Sequence, residues 1–157
     1  MHSPRVWMKA AIVERELGNV ETERKFLKEG LEKFPSFSKF WMMLGQLEAR
    51  VKSKDIARNV YKAGLKQCPD SVPLWIAAAK LEENDEKVLV ARSVLEQARK
   101  RNPRVPELWL AAVRVERRSE NLREAESLLA KGLQECPKSG LLLSELIRMA
   151  PRAQRKS

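Results

Sequence analysis

Long hydrophobic runs are missing from this chain. Within its 157 residues no apolar stretch approaches 18, which excludes a membrane-spanning helix of ordinary length. A secretory leader is not expected either, because Met1-His2-Ser3-Pro4 runs straight into helical sequence with no apolar core segment. Histidine occurs once, as His2, so no thiol or hydroxyl elsewhere has an imidazole base within its own segment. Glycine is sparse and never clustered, so no phosphate-cradling loop is present. No spacing of Cys, His, Asp or Glu suggests a metal centre. These gaps point away from an enzyme, and no cofactor and no small-molecule substrate is expected.

What remains is charge and periodicity. Lysine and arginine outnumber acids by 31 to 21, a formal net charge of +10 that favours anionic partners without choosing among them. Trp7, Trp41, Trp75 and Trp109 are each 34 residues apart, and so are Pro35, Pro69, Pro103 and Pro137. Two marks on one period of this length indicate a tandem helix–turn–helix array. The sequence therefore predicts an all-α, right-handed α-solenoid of tandem 34-residue helix–turn–helix repeats. Its repeats run 3–36, 37–70, 71–104 and 105–138. A half repeat or capping helix follows at 139–150, and a basic tail at 151–157.

Offsets are counted here from each tryptophan. Offsets 3 and 4 are mostly small, as in Ala10-Ala11, Ala78-Ala79 and Ala112-Val113, which lets a neighbouring helix approach closely. Ser3-Pro4, Ser38, Ser71-Val72-Pro73 and Val105-Pro106 read as openings of the first helices. Polar breaks at Gly18-Asn19, Lys52-Ser53-Lys54, Asn84-Asp85-Glu86 and Ser119-Glu120-Asn121 separate the two helices of each repeat. Offset 23 is Gly30, Gly64, Ala98 or Gly132. Glycine inside a helix costs about 1 kcal/mol against alanine, so its recurrence implies a tight helix crossing. Cys68 and Cys136 fill one slot, just before the repeat proline, two repeats apart. With helix layers about 8–10 Å apart they lie beyond disulfide reach. Both read as reduced packing residues of a cytosolic or nuclear protein.

Offset 7 is Glu14, Glu48, Glu82 and Glu116; offset 17 is Arg24, Arg58, Arg92 and then Glu126. If each helix pair turns near offset 12, facing offsets sum to about 24. That rule pairs Glu48 with Arg58 and Glu82 with Arg92 inside single repeats. It also sets Glu116 against Glu126, leaving Arg117 or Arg123 to compensate, and places Arg99 on Trp75 as a cation–π stack. These glutamates, arginines and tryptophans read as structural residues, since a residue repeated in every unit is building the unit.

The tryptophan, the small residues at 3 and 4, alanine at 16 (Ala57, Ala91, Ala125) and proline at 28 match the tetratricopeptide pattern. Glutamate at 7, with Ala57-Arg58 and Ala91-Arg92 opening the second helix, departs from it. That combination resembles the half-a-tetratricopeptide (HAT) repeat of RNA-processing complexes. The stretches Pro4-Arg5-Val6-Trp7-Met8-Lys9, Phe40-Trp41-Met42-Met43, Gly64-Leu65-Lys66-Gln67-Cys68-Pro69, Pro73-Leu74-Trp75 and Leu133 to Gly140 resemble, more closely, the pre-mRNA-processing factor six family. Thr22-Glu23, where alanine is usual, and Leu143, where a tryptophan is due, depart from the pattern. The resemblance implies a non-enzymatic scaffold of the spliceosomal tri-snRNP, working in the nucleus and contacting spliceosomal snRNP proteins.

First helices line the inner face of such an array, and offsets 2, 5 and 9 are expected to be unburied. They supply Lys9, Lys80 and Arg114 in one row and Arg50 and Arg118 in another. This concave basic face is the candidate partner-binding surface, for an acidic protein segment first and RNA phosphate second. A tetratricopeptide-type adaptor for acidic peptides outside splicing is the alternative. Direct RNA reading has less support, because the tryptophans and Tyr61 fall on core offsets and leave few rings for base stacking.

Overall fold

The computed structural model describes residues 3–149. Among them the chain is all helical: α1 (Pro4–Leu17), α2 (Val20–Lys33), α3 (Ser38–Val51), α4 (Lys54–Gln67), α5 (Val72–Asn84), α6 (Val88–Arg101), α7 (Pro106–Arg118), α8 (Leu122–Glu135) and α9 (Gly140–Met149). This is the all-α helical-repeat class. The basic tail at 151–157 lies outside the described residues. No described helix is long and apolar enough to cross a membrane. The chain divides into two compact units, residues 1–81 and 82–157, with the boundary inside α5.

Local chemistry fixes where each helix stops. The second helices end at Phe34, Cys68, Asn102 and Cys136, all near φ −130 to −134 and ψ 65 to 68. A proline follows each of these residues, and its ring forces the preceding residue out of the α region. The first helices end in a different device. Gly18, Glu86 and Glu120 hold the same offset with φ of 79, 59 and 62. The next N–H in each case returns to the carbonyl of the offset-7 glutamate: Asn19 to Glu14 at 2.9 Å, Lys87 to Glu82 and Asn121 to Glu116 at 2.8 Å. Only the first of these turns uses the residue suited to a left-handed backbone. Serine capping is narrower than the sequence suggests. Ser53 accepts from the Ile56 N–H and Ser139 from the Leu142 N–H, whereas Ser3 caps no helix with its side chain and Ser38 is already helical.

In the first unit α2 packs between α1 and α3, and α3 also packs against α4. Its core is Ala11, Leu27, Phe40, Met43, Leu44 and Leu47, flanked by Trp7, Phe26, Leu31 and Phe37. The glycines at offset 23 are points of close approach. A methyl on Gly30 would lie 2.8 Å from the Phe40 ring, and one on Gly64 2.7 Å from Trp41 Cβ. Gly45, at offset 4, lies directly under the Tyr61 ring. In the second unit α7 is the central helix, packed by α6, α8 and α9. It buries Leu108, Trp109, Leu110, Ala112, Val113 and Val115 along its length. A methyl on Gly132 would sit 3.0 Å from Trp109 Cβ.

The tryptophan and proline series turn out to be one device. Trp41, Trp75 and Trp109 donate their indole N–H to the carbonyls of Pro35, Pro69 and Pro103 at 2.8, 2.7 and 2.8 Å. The proline ends one repeat and its carbonyl fixes the indole that opens the next. Trp75 and Trp109 are buried, while Trp7 and Trp41 are only half-buried, so the expectation of four core tryptophans holds for two.

Candidate interaction surface

In each unit a glutamate–arginine contact runs between successive repeats. Arg24 on α2 reaches forward to Glu48 on α3, with N···O distances of 2.8, 3.1 and 3.3 Å. Its remaining nitrogen donates to Glu21 at 2.7 Å. In the second unit Arg92 on α6 reaches Glu116 on α7 at 2.6 and 2.7 Å. Where the sequence rule sets Glu48 against Arg58 and Glu82 against Arg92 inside single repeats, the structure shows Glu48 held by Arg24 and Arg92 reaching Glu116. The reason is geometric. Offset 17 lies on the side of the second helix that meets the following first helix, and offset 7 looks back toward the preceding second helix.

The same geometry removes the expected clash in the fourth repeat. Glu116 is held by Arg92, Glu126 is exposed, and Arg117 bonds Glu145 of α9 instead of compensating. Arg99 also reaches forward, with its guanidinium carbon 5.0 Å from the centroid of Trp109 rather than over Trp75. Lys33, by contrast, lies over Trp7 of its own repeat at 5.1 Å.

Electrostatics follow from these contacts. The hydrogen bonds from Arg24 hold the Glu48 carboxyl below the usual carboxylate range and push the Arg24 guanidinium further up. Arg99, taken out of water beside the indole, has its pKa lowered by desolvation. Burial raises Tyr61 to about 12 and raises both thiols. Cys68 donates to the Ser36 carbonyl at 3.3 Å, which suits a packing residue rather than an activated nucleophile.

The basic residues proposed from sequence divide into two kinds. Lys9 on α1, Lys80 on α5 and Arg114 on α7 are exposed. Arg50 on α3 is half-exposed and bonds Glu23, a carboxylate with 2% side-chain exposure, at 3.2 Å. Arg118 on α7 forks onto both oxygens of Glu83 at 2.7 and 2.8 Å, which raises its pKa. Arg50 and Arg118 therefore brace neighbouring helices, whereas Lys9, Lys80 and Arg114 project into solvent. Offset 2 does not behave uniformly: Met43 holds it in α3 and is buried. Sequence reasoning missed the bracing partners Glu23, Glu83 and Glu145.

Comparison with known proteins accords with this geometry. Residues 5–82 match the model of the PRP39 N-terminal HAT repeat, and residues 106–149 match that of the tetratricopeptide repeat. A 35-residue stretch is 74% identical to protein STABILIZED1 of Arabidopsis thaliana; it makes up 22% of this chain and 3% of that protein. Among solved structures, a thermophilic tetratricopeptide-repeat protein of Thermus thermophilus has a TM-score of 0.66 at 19% identity, covering 94% of this chain and 81% of its own. A tetratricopeptide-repeat protein of Parabacteroides merdae gives 0.64 at 17% identity, with 88% and 56% covered. These structures share the fold. The HAT and tetratricopeptide matches mark the chain as a protein–protein interaction scaffold.

Proposed function

We propose that this chain is a non-enzymatic scaffold of pre-mRNA splicing, acting in the nucleus and helping to assemble or bridge the tri-snRNP. The observation that carries the reading is the match of residues 5–82 to the PRP39 N-terminal HAT repeat. It is supported by the cysteine-proline stretches ending at Pro69 and Pro137, which resemble the pre-mRNA-processing factor six family. The working groups are Lys80 and Arg114, the exposed members of the basic set at offset 5, with Lys9 beside them in type. They dock an acidic segment of an snRNP protein, and complementary charge there speeds encounter and sets specificity more than it adds affinity.

The test compares the unaltered chain with a Lys80→Glu, Arg114→Glu double variant against purified snRNP proteins and against RNA, across a salt series. Binding to an snRNP protein that falls at least about tenfold in the variant, with unchanged helicity, supports the reading. Binding unaffected by the reversal at every salt concentration refutes the basic docking surface. A variant that loses RNA but keeps protein makes the surface a phosphate contact instead. The tetratricopeptide match at 106–149 favours one other reading, an adaptor for acidic peptides outside splicing. That reading requires the chain to bind such peptides and no snRNP protein.

A further inference from the structure

A cavity of about 130 Å³ lies within the second unit, lined by α6, α7 and α8. Its flanking helices, α6 and α8, both belong to the chain, so no chain end opens it. Leu95, Ala112 and Leu128 supply apolar wall, and Arg92, Arg99 and Glu116 line it among them. The exposed carboxylates Glu96 and Glu124 border it.

The same register in the first unit is apolar. Offsets 24, 3 and 19 are Leu31, Leu44 and Val60 there, and all three belong to the core or pack on it. In the second unit these offsets are Arg99, Ala112 and Leu128. Alanine at the place of Leu44 makes room, and arginine at the place of Leu31 brings a cation into it. Offset 24 is leucine in the other three repeats, as Leu31, Leu65 and Leu133, so Arg99 departs from the pattern.

The inner charges do not balance. Arg92 gives Nε and Nη2 to Glu116 at 2.7 and 2.6 Å and neutralises it. At the border Glu96 lies 3.4 Å from Lys100. Arg99 is half-buried, and its partner is the face of Trp109; among the described residues no carboxylate or carbonyl accepts from it. Stacking engages the face of a guanidinium and leaves the N–H groups along its edge for an acceptor. A carboxylate answers that demand, since it accepts two parallel N–H bonds and cancels the one inner charge left over.

We infer that this cavity is a binding site for a glutamate side chain of a partner protein, whose carboxylate forks onto Arg99 while its methylenes lie against Leu95 and Leu128. Glu96 and Glu124 at the border repel a run of acids, so the site selects a single glutamate among neutral or basic neighbours. The inference rests on the protein-interaction reading of the chain. It uses neither Lys80 nor Arg114, which do not line the cavity.

The probe is a capped Ser-Gly-Glu-Gly-Ser peptide, with its glutamine form as the neutral isostere and acetylglycine as a free terminal carboxylate. Each is titrated at constant ionic strength into the full isotope-labelled chain, and the Arg99 Nε–H and Trp109 indole N–H signals are followed by NMR. The glutamate peptide should saturate at about 1–10 mM and the glutamine form should bind at least about tenfold more weakly. Arg99→Leu restores the residue of the other three repeats and should abolish binding, with helicity checked by circular dichroism. Arg99→Lys should weaken binding, because an ammonium cannot fork. Glu124→Gln should tighten it about threefold by removing a like charge from the border. No saturation up to about 50 mM overturns the inference, as does equal binding of the two peptides or binding indifferent to Arg99→Leu. Acetylglycine binding as tightly as the glutamate peptide would overturn the assignment to a side chain. The Lys80→Glu, Arg114→Glu chain should bind the peptide unchanged; a loss there would move the peptide to the basic surface and overturn the cavity site.

Discussion

The forward-reaching ladder makes a prediction that a double-mutant cycle can decide. Glu48 and Arg24 have side-chain exposures of only 7% and 10%, and they share a forked contact. Replacing Arg24 by methionine leaves a carboxylate in a nearly dry site with no counter-charge. Breaking one side of such a pair costs about 3–5 kcal/mol. Replacing both residues, as Arg24→Met with Glu48→Leu, removes the orphan charge and substitutes apolar volume. The double variant should then lie within about 1–2 kcal/mol of the unaltered chain. The coupling between positions 24 and 48 is accordingly expected at about 2 kcal/mol or more, near the upper end for residues in contact.

Position 14 provides the control. The within-repeat rule couples Glu14 to Arg24, whereas the structure sends Arg24 away to Glu48 and gives Glu14 to Asn19. A Glu14–Arg24 cycle should therefore give coupling within about 0.5 kcal/mol of zero. Guanidinium titrations on all of these variants supply the free energies, and thermal melts check them at roughly 2–4 °C per kcal/mol for a chain of this size. A 14–24 coupling as large as the 24–48 coupling would refute the inter-repeat register. Equal damage from the single Arg24→Met and the double variant would refute burial of the pair.

Three further outcomes are expected. Trp75→Ala should cost about 3–5 kcal/mol as a buried large-to-small change, and Trp75→Phe about 1–2 kcal/mol as the indole bond to the Pro69 carbonyl is lost; a loss below about 1 kcal/mol for alanine in denaturant titration would contradict the burial. Glu120→Gly should stabilise the chain by about 0.5–1 kcal/mol, because Glu120 holds φ at 62 in an exposed turn where Gly18 sits unstrained; a lower melting temperature would show that the side chain has another role. The Glu48 carboxyl is depressed in the folded state, so its contribution is complete above the ordinary range near about pH 4.3 and is lost as pH falls through the lower folded value. Glu48→Gln should therefore flatten the fall in stability below about pH 5, and an unchanged acid limb in melts from about pH 7 to 3 would count against the Arg24 contact.

The helical class, the position of the breaks and the tight crossings were legible because each rests on a local rule. Proline stops a helix wherever it stands, and glycine recurs in a helix only where something presses on it. Gly30 and Gly64 show this directly, each with an aromatic side chain against the missing methyl. Pairings were less legible, because the sum rule treats a helix pair as flat and assigns every inward residue to its own repeat. A helix in an array has two inward sides, one for its partner and one for the next repeat. The cue to the second side was nevertheless present. Arg24, Arg58 and Arg92 each precede a glutamate by 24 residues; where the arginine is missing, at Glu126, position 150 is alanine.

The exposed basic residues were legible only in part, for a related reason. Lys80 and Arg50 look alike as cations on a first helix. Whether a cation is free depends on the residue one helix away, and Glu23 was hidden because it replaces the alanine expected at that offset. The substitution brings in the counter-charge that Arg50 needs. Glu83 does the same for Arg118 through a different offset. Glu23 and Glu83 thus each tie down one arginine of the candidate surface. Lys9, Lys80 and Arg114 project into solvent, and the docking proposal accordingly narrows from five residues to Lys80 and Arg114, with Lys9 beside them.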